Sequence, residues 1–316
     1  MCGRCCTLPP VLDPIDVAAP LFSVVVPSRA RLPQLRACLR SLANLNFPTE
    51  RYEVIVVNDG ATALPEGELR AFGDTLDIVA VDQPWAGPAT ARNNGVMRAR
   101  GAFVAFTDDD CTVAPDWLSV LEAETREHPD ALLGGRAINA LDDNSFATAS
   151  QMLVDYLYEY YHRSAGGRGP RFFASNNMCA RTGLLRQLGG FDTSFRLAAG
   201  EDRDLCDRWM SAGFELEYCP DAVVHHRHGM TFRSFTRQHL NYGRGAWAFH
   251  AARARRISAH IRIEPLRFYS GLVMYPLTMS SGSKAALLIL LLAWSQVVNA
   301  AGFFMERARA WASVKL

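Results

Sequence analysis

Strand-like and helix-like patterns alternate along residues 21–110, and that alternation leaves few folds open to the chain. "LFSVVVPSRAR" begins with a β-branched run that Pro27 is expected to stop. Leu35, Leu39 and Leu42 then recur at helical spacing. "YEVIVVNDG" reads as a second strand closed by the turn formers Asn58, Asp59 and Gly60, and "LDIVAVDQ" as a third. A helix follows over Ala89–Arg100, and Phe103–Phe106 supplies a fourth, buried strand. This repetition predicts an α/β sheet, mostly parallel, with helices on both faces. Its binding crevice should lie beyond the carboxyl ends of the strands. Pro27, Ser28, Asp59, Asp82 and Asp108–Asp110 all fall there.

Three adjacent acids ending a core strand repel one another and call for a positive partner. Asp108, Asp109 and Asp110 offer hard oxygen ligands suited to Mg²⁺ or Mn²⁺, with water and substrate phosphates completing the shell. A cation so held would neutralise a departing diphosphate. A solvated cluster of acids at a helix start is the plainer alternative. Other phosphate chemistries fit poorly. "DDDCT" matches the Asp-x-Asp-x-Thr pattern of haloacid-dehalogenase phosphatases, but it follows the fourth strand rather than the first, and no lysine precedes Lys284. The loop after the first strand, "VVVPSRARLP", lacks the glycines of a dinucleotide-binding turn.

Residues 132–173 are less regular, apart from an amphipathic, tyrosine-rich helix in "SQMLVDYLYEYYHR". "RTGLLRQLGGFD" predicts a short helix closed by Gly189 and Gly190. "AGEDRDLCDRWMSAGF" predicts another, with acids in its first turn and Gly213 past its end. "FELEYCPDAVVHHRHG" is a further strand with a histidine-rich end. Trp85 and Phe191 read as packing residues.

Charge divides the chain. From His225 to Arg267 nine arginines face one acid, and residues 1–224 carry about ten negative charges in excess. Ala285–Phe304 is an apolar stretch long enough to span a bilayer, preceded by the shorter "FYSGLVMYPLTM". Basic residues flank both, Arg253, Arg255, Arg256 and Arg262 before and Arg307, Arg309 and Lys315 after. Positive charge kept on the cytoplasmic side favours a hairpin over a single crossing. Fusion to an apolar helix points the basic tail to anionic lipid, not nucleic acid. Cys38, Cys111, Cys179, Cys206 and Cys219 are scattered as reduced core residues are, and no apolar signal opens the chain, so a cytoplasmic, reducing location is expected. Cys2, Cys5 and Cys6 could bind zinc or carry a lipid, but a plain Pro-containing leader is the simpler reading. The expected organisation is a leader over 1–20, a catalytic domain over 21–250 and a membrane-associated tail over 251–316.

The order of "VVVPSRAR", "VIVVNDG", "GPATARNNG", "FTDDDCTVAPDWL", "FFASNNMCARTGLL", "GGFD", "GEDRDLCDRWMSAGF" and "VVHHRHG" resembles that of family 2 glycosyltransferases, over roughly Phe22 to Trp247. The resemblance implies a GT-A fold, a Rossmann-like mixed sheet, with a nucleotide-sugar donor, a divalent metal and inverting transfer. It implies that Pro27 and Ser28 shape the nucleotide loop, that Asp59 accepts a hydrogen bond from the base, and that Arg92 lies near base or phosphates. Asp108 would hold the ribose and Asp110 or Asp109 the metal, the triple acid leaving that register open. Glu201 and Asp202 resemble the pair that supplies the general base, assigned to Asp202, while Glu201 could touch sugar hydroxyls. A helix start would favour the ionised form of Asp202. His226 or His228 would stand near the metal or leaving diphosphate, His225 pointing away. Arg237–Trp247 could close over the substrate as a loop, with Gly243 and Gly245 allowing a bend and Gln238 touching the diphosphate. The expected acceptor is a saccharide or lipid-linked saccharide in surface polysaccharide or glycolipid synthesis. A catalytically silent nucleotide-sugar sensor is the alternative.

Overall fold

The computed structural model describes residues 19–60, 64, 66–164, 172–195, 197–257 and 264–313. Cys2, Cys5, Cys6, Arg262 and Lys315 lie outside the described residues. The first half runs β1 (Phe22–Ser28), α1 (Leu32–Ala43), β2 (Tyr52–Asp59), α2 (Glu66–Arg70), β3 (Ile78–Gln83), α3 (Pro88–Arg98) and β4 (Phe103–Thr107). The second adds β5 (Cys111–Val113), α4 (Trp117–Glu127), β6 (Leu132–Asn139), α5 (Ser145–Ser164), β7 (Asn177–Arg181), α6 (Thr182–Gln187), α7 (Glu201–Ser211) and β8 (Leu216–His226). Three helices close the chain: α8 (Phe232–Ile257), α9 (Leu266–Met274) and α10 (Gly282–Ser313).

All eight strands form one sheet in the order β3-β2-β1-β4-β7-β6-β8-β5. β3, β2, β1 and β4 are parallel, as the sequence predicts, and β7 pairs antiparallel to both β4 and β6. The sheet is therefore mixed. Along β1 the side chains alternate between two cores: Val24 and Val26 join Leu35, Leu39 and Trp117, while Val25 joins Ile55, Phe106 and Trp209. A strand covered on both faces must be apolar throughout, which is why β1, β2 and β4 read as uninterrupted hydrophobic runs. Pro27 does not end β1 but pairs with Val57 one residue before the strand's close. The five cysteines of the body are buried and free, as expected.

Two regions differ from the sequence reading. Residues 132–139, taken as irregular, are β6, whose Gly134 and Gly135 leave no room for a Cβ beneath the Phe173 ring and the Asn177 side chain. Arg237–Trp247 is no loop; it lies within the continuous helix α8. Gly243 faces the Asn299 backbone and Gly302 faces the Leu240 carbonyl, so these glycines let α8 and α10 approach closely instead of bending the chain. The expected boundary at residues 250–251 falls inside α8. Arg244 pairs with Glu306 at 2.7 Å, and the Trp294 indole donates to Thr236 at 3.0 Å, fastening α10 along α8. The opposite face of α10 exposes Leu290, Val297, Phe304 and Trp311. α10 is long and apolar enough to cross a membrane, and about a third of its most apolar window is buried within the protein (33%).

Candidate active site

The carboxyl ends of the parallel strands converge on the acids that follow β4. Ser28, at the end of β1, donates its hydroxyl to Asp109 at 2.7 Å. Just beyond, Ala30 has φ 51°, a left-handed conformation uncommon for a residue with a side chain. Its neighbours diverge. The Arg29 guanidinium lies 5.1 Å from the centre of the Trp85 ring, and Arg31 turns onto Asp109 and Asp110. Trp85 is 58% exposed, so the packing role expected of it is not what it does. Phe191 does pack, edge-on against Phe106 at 5.3 Å.

Asp59, at the end of β2, accepts from the Gln83 amide at 2.8 Å and from the backbone N–H groups of Ala86 and Gly87 at 2.7 and 2.9 Å. It thereby shapes the turn that starts α3. A carboxylate has four lone-pair positions, so one remains for a further donor. Arg92 projects from α3 into the space between two acids, 2.9 Å from Asp108 and 3.4 Å from Glu201, with its guanidinium over the Phe191 ring. Asp108 is the most open of the three consecutive acids and Asp109 is fully buried (side-chain exposures 25% and 0%).

β5 pairs antiparallel with β8, setting Cys111 opposite His226 and bringing that histidine to Asp110. His226 Nε2 lies 3.3 Å from Asp110 Oδ1, and the His228 ring centre lies 5.2 Å from that of His226. His225 is exposed on the other side, as expected. Burial opposes ionisation of Asp110, but His226 and Arg31 outweigh it and hold the carboxyl at about 2. At Asp109 burial wins over Arg31 and Ser28 and pushes the carboxyl up to about 6. For His226, burial is outweighed by Asp110, raising its pKa, whereas burial and the neighbouring His226 lower that of His228.

Asp110, His226 and Cys111 place potential ligand atoms within 4.8 Å of one another. Burial drives the Cys111 thiol far up, and its side chain belongs to the core, so oxygen and imidazole are the better donors. Asp109 Oδ1 pairs with Arg31, and Asp110 Oδ1 faces His226. Carboxylate oxygens beside an imidazole form a hard donor set that fits Mg²⁺ or Mn²⁺.

Across Arg92 stand Glu201 and Asp202, which begin α7 after Gly200, a residue in the left-handed region at φ 95°. Glu201 is buried, and desolvation with the adjacent Asp202 raises its carboxyl to about 8. Asp202 is partly exposed and accepts from the Arg203 N–H at 2.7 Å. Burial raises its pKa too, outweighing the backbone N–H donors at the helix start and Arg92, so the depression suggested by the sequence does not follow. The other acids of α7 are structural. Arg208 binds Asp204 at 2.8 Å; Arg256 reaches Asp204 and Asp207 at 2.6 and 2.9 Å, and Arg253 reaches Asp207 at 2.8 Å.

A small, mostly apolar hollow, lined in part by both histidines, also presents Gln151, Asn176, Gln238 and Tyr242. Gln238 donates to the Ser150 and Tyr242 hydroxyls. The Asn176 carbonyl is buried without a partner. Sequence reasoning missed Arg31 and Asn176. The only trace of the first is a basic residue in the loop after strand one, and of the second a polar pair, Asn176-Asn177, opening a short apolar run.

A mixed sheet whose parallel strands end in acids, interrupted by the antiparallel β7 and completed by β8, which brings His226 to those acids, is the GT-A architecture of nucleotide-sugar transferases. Residues 23–189 match the sequence profile described as glycosyl transferase family 2, and the chain belongs to that family. A pre-mycofactocin glycosyltransferase of Mycobacterium tuberculosis is 31% identical over 228 residues, covering 71% of this chain and 46% of that protein. The chain thus spans about half the length of that relative. Glycosyltransferase AglE of Haloferax volcanii is 24% identical over 252 residues, 76% of this chain and 78% of its own. Among solved structures, the mannosyltransferase PcManGT from Pyrobaculum calidifontis, in complex with GDP-Man and Mn²⁺, superposes with a TM-score of 0.61 at 18% identity, covering 92% of this chain and 90% of that one. Residues 1–349 of S. aureus TarS, in complex with UDP-GlcNAc, give 0.52 at 17% identity, with 92% of both chains covered.

Proposed function

We propose that the chain transfers a sugar from a nucleotide-diphosphate donor to a saccharide or lipid-linked acceptor, with inversion at the anomeric carbon. The observation that carries this reading is Arg92, which touches both Asp108, here assigned to the nucleotide, and Glu201, here assigned to the acceptor. One buried guanidinium thus holds the two halves of the site in register. Asp59 would accept from the base, and Asp108 from the ribose, with Pro27 and Ser28 shaping the loop beneath. Asp110 with Asp109 and His226 would hold a divalent cation, Mn²⁺ or Mg²⁺, His228 standing beside them. That ion would supply charge neutralisation for the leaving diphosphate. Asp202 would take the proton of the acceptor hydroxyl as its oxygen bonds to the anomeric carbon and the sugar–phosphate bond breaks on the opposite face. Glu201, buried and with one oxygen lacking a hydrogen bond, would donate to a sugar hydroxyl.

Nucleotide release from a panel of nucleotide sugars, with Mn²⁺, Mg²⁺ or a chelator, tests this directly. Release from one donor that stops on chelation is expected. Tight donor binding with no turnover under any acceptor would favour a sensor, and no binding would remove the nucleotide-sugar reading.

The tail is proposed to seat the enzyme on the cytoplasmic face of the plasma membrane, placing it where surface polysaccharide or glycolipid intermediates lie. Its support is the apolar length of α10 beside exposed Leu266, Leu277 and Met279. The full-length protein is expected in the membrane fraction and should resist extraction by high salt. Recovery in the soluble fraction without detergent would refute the assignment.

A further inference from the structure

We infer that Arg31 is an internal stand-in for the metal: it neutralises Asp109 and Asp110 while the donor is absent and passes to the diphosphate when cation and donor arrive together. The inference rests on the metal reading above. Three guanidinium nitrogens meet the two acids. Nε donates to Asp109 Oδ2 at 3.2 Å, Nη1 to Asp110 Oδ2 at 2.6 Å, and Nη2 pairs with Asp109 Oδ1. The acids are buried and the arginine is half exposed. Their side chains are 0% and 7% exposed, whereas that of Arg31 is 43% exposed. Arg92 offers the contrast, with a side chain only 5% exposed.

Two buried carboxylates cannot be left without a cation. A divalent ion bound through Asp110 must therefore compete with Arg31 for the same charge. A displaced guanidinium is easily lost to solvent from so open a position, but it is better served by a diphosphate, whose oxygens it can bind through two parallel hydrogen bonds. Cation and donor consequently favour each other. Each binds weakly alone, because Arg31 must be displaced without compensation, and strongly together, because Arg31 then has a partner. Such coupling is reciprocal by linkage. Ala30 helps to set this up, since its left-handed backbone turns Arg31 inward and leaves Arg29 on Trp85.

Mn²⁺ binding to full-length protein, followed by the electron-paramagnetic signal of free Mn²⁺ with and without a nucleoside diphosphate, reads this coupling without turnover. In Arg31→Gln the donor-free protein should bind Mn²⁺ about tenfold more tightly than wild type, and the enhancement by nucleoside diphosphate should shrink about tenfold, within the usual range of coupling. Arg29→Gln removes a nearby positive charge that does not touch the acids and should behave as wild type. Arg31→Lys, which keeps the charge but loses the fork, should fall between, and serves if the glutamine variant does not fold by circular dichroism. Unchanged or weaker Mn²⁺ affinity in folded Arg31→Gln, or an equal effect of Arg29→Gln, overturns the role of Arg31 while leaving the metal site intact. Failure of every form to bind Mn²⁺, even with nucleotide, overturns the metal reading and this inference with it.

Discussion

Replacing Asp202 by Asn should lower kcat by about 10³-fold while leaving donor affinity within about twofold of wild type. The carboxylamide keeps the size of the side chain and its contact with the Arg203 N–H, but it cannot take a proton. A general base works only when ionised, and burial raises the pKa of Asp202. The acid limb of the wild-type kcat/KM profile should therefore lie above the ordinary carboxylate range, activity being lost as pH falls through it. Steady-state transfer rates and equilibrium donor titrations on the same preparation separate the two effects. Near wild-type turnover in the asparagine variant would move the base to Glu201, whose carboxyl burial and the neighbouring Asp202 raise to about 8.

Asp110→Ala is the second large effect. The substitution removes the acid that contacts both Arg31 and His226, so Mn²⁺ binding should disappear and kcat/KM should fall by about 10²–10³-fold. His226 loses the partner that raises its pKa, which should drop accordingly and be visible by NMR titration of the imidazole. Asp108→Ala makes a useful comparison, because Asp108 faces Arg92 rather than Arg31 and should weaken nucleotide binding more than metal binding. Unaltered Mn²⁺ affinity in Asp110→Ala would shift the metal to Asp109, the alternative that three successive acids leave open.

What could be read from the sequence follows from burial. β1, β2 and β4 are covered on both faces, so their apolar runs are unmistakable, and the acids ending β4 stand out against them. β6 was hidden because its two glycines and an arginine carry no strand signature; they answer to Phe173 and Asn177, which lie about 40 residues downstream. The glycines of α8 misled for the opposite reason. A local reading gives glycine flexibility, but at Gly243 the missing side chain serves a neighbouring helix. Within the site, Asp110, His226 and His228 were legible as motifs; the β5–β8 pairing brings His226 to Asp110, with the His228 ring beside His226. Arg31 was not legible, because its inward course depends on the φ of Ala30, which no periodicity encodes.

The ion pairs between α7 and α8 bear on where this chain could be shortened. A protein ending at residue 250 would keep every motif that defines the family, yet it would strip Asp207 of both Arg253 and Arg256. Asp204 would retain only Arg208. Breaking a buried pair from one side costs about 3–5 kcal/mol, a large share of the stability of an ordinary domain. The helix that would suffer is the one that begins with Glu201 and Asp202. A soluble fragment cut at the apparent domain border would thus be expected to lose the alignment of Glu201 and Asp202 before it lost its fold, and a failed assay on such a fragment would say nothing about the chemistry of the whole chain.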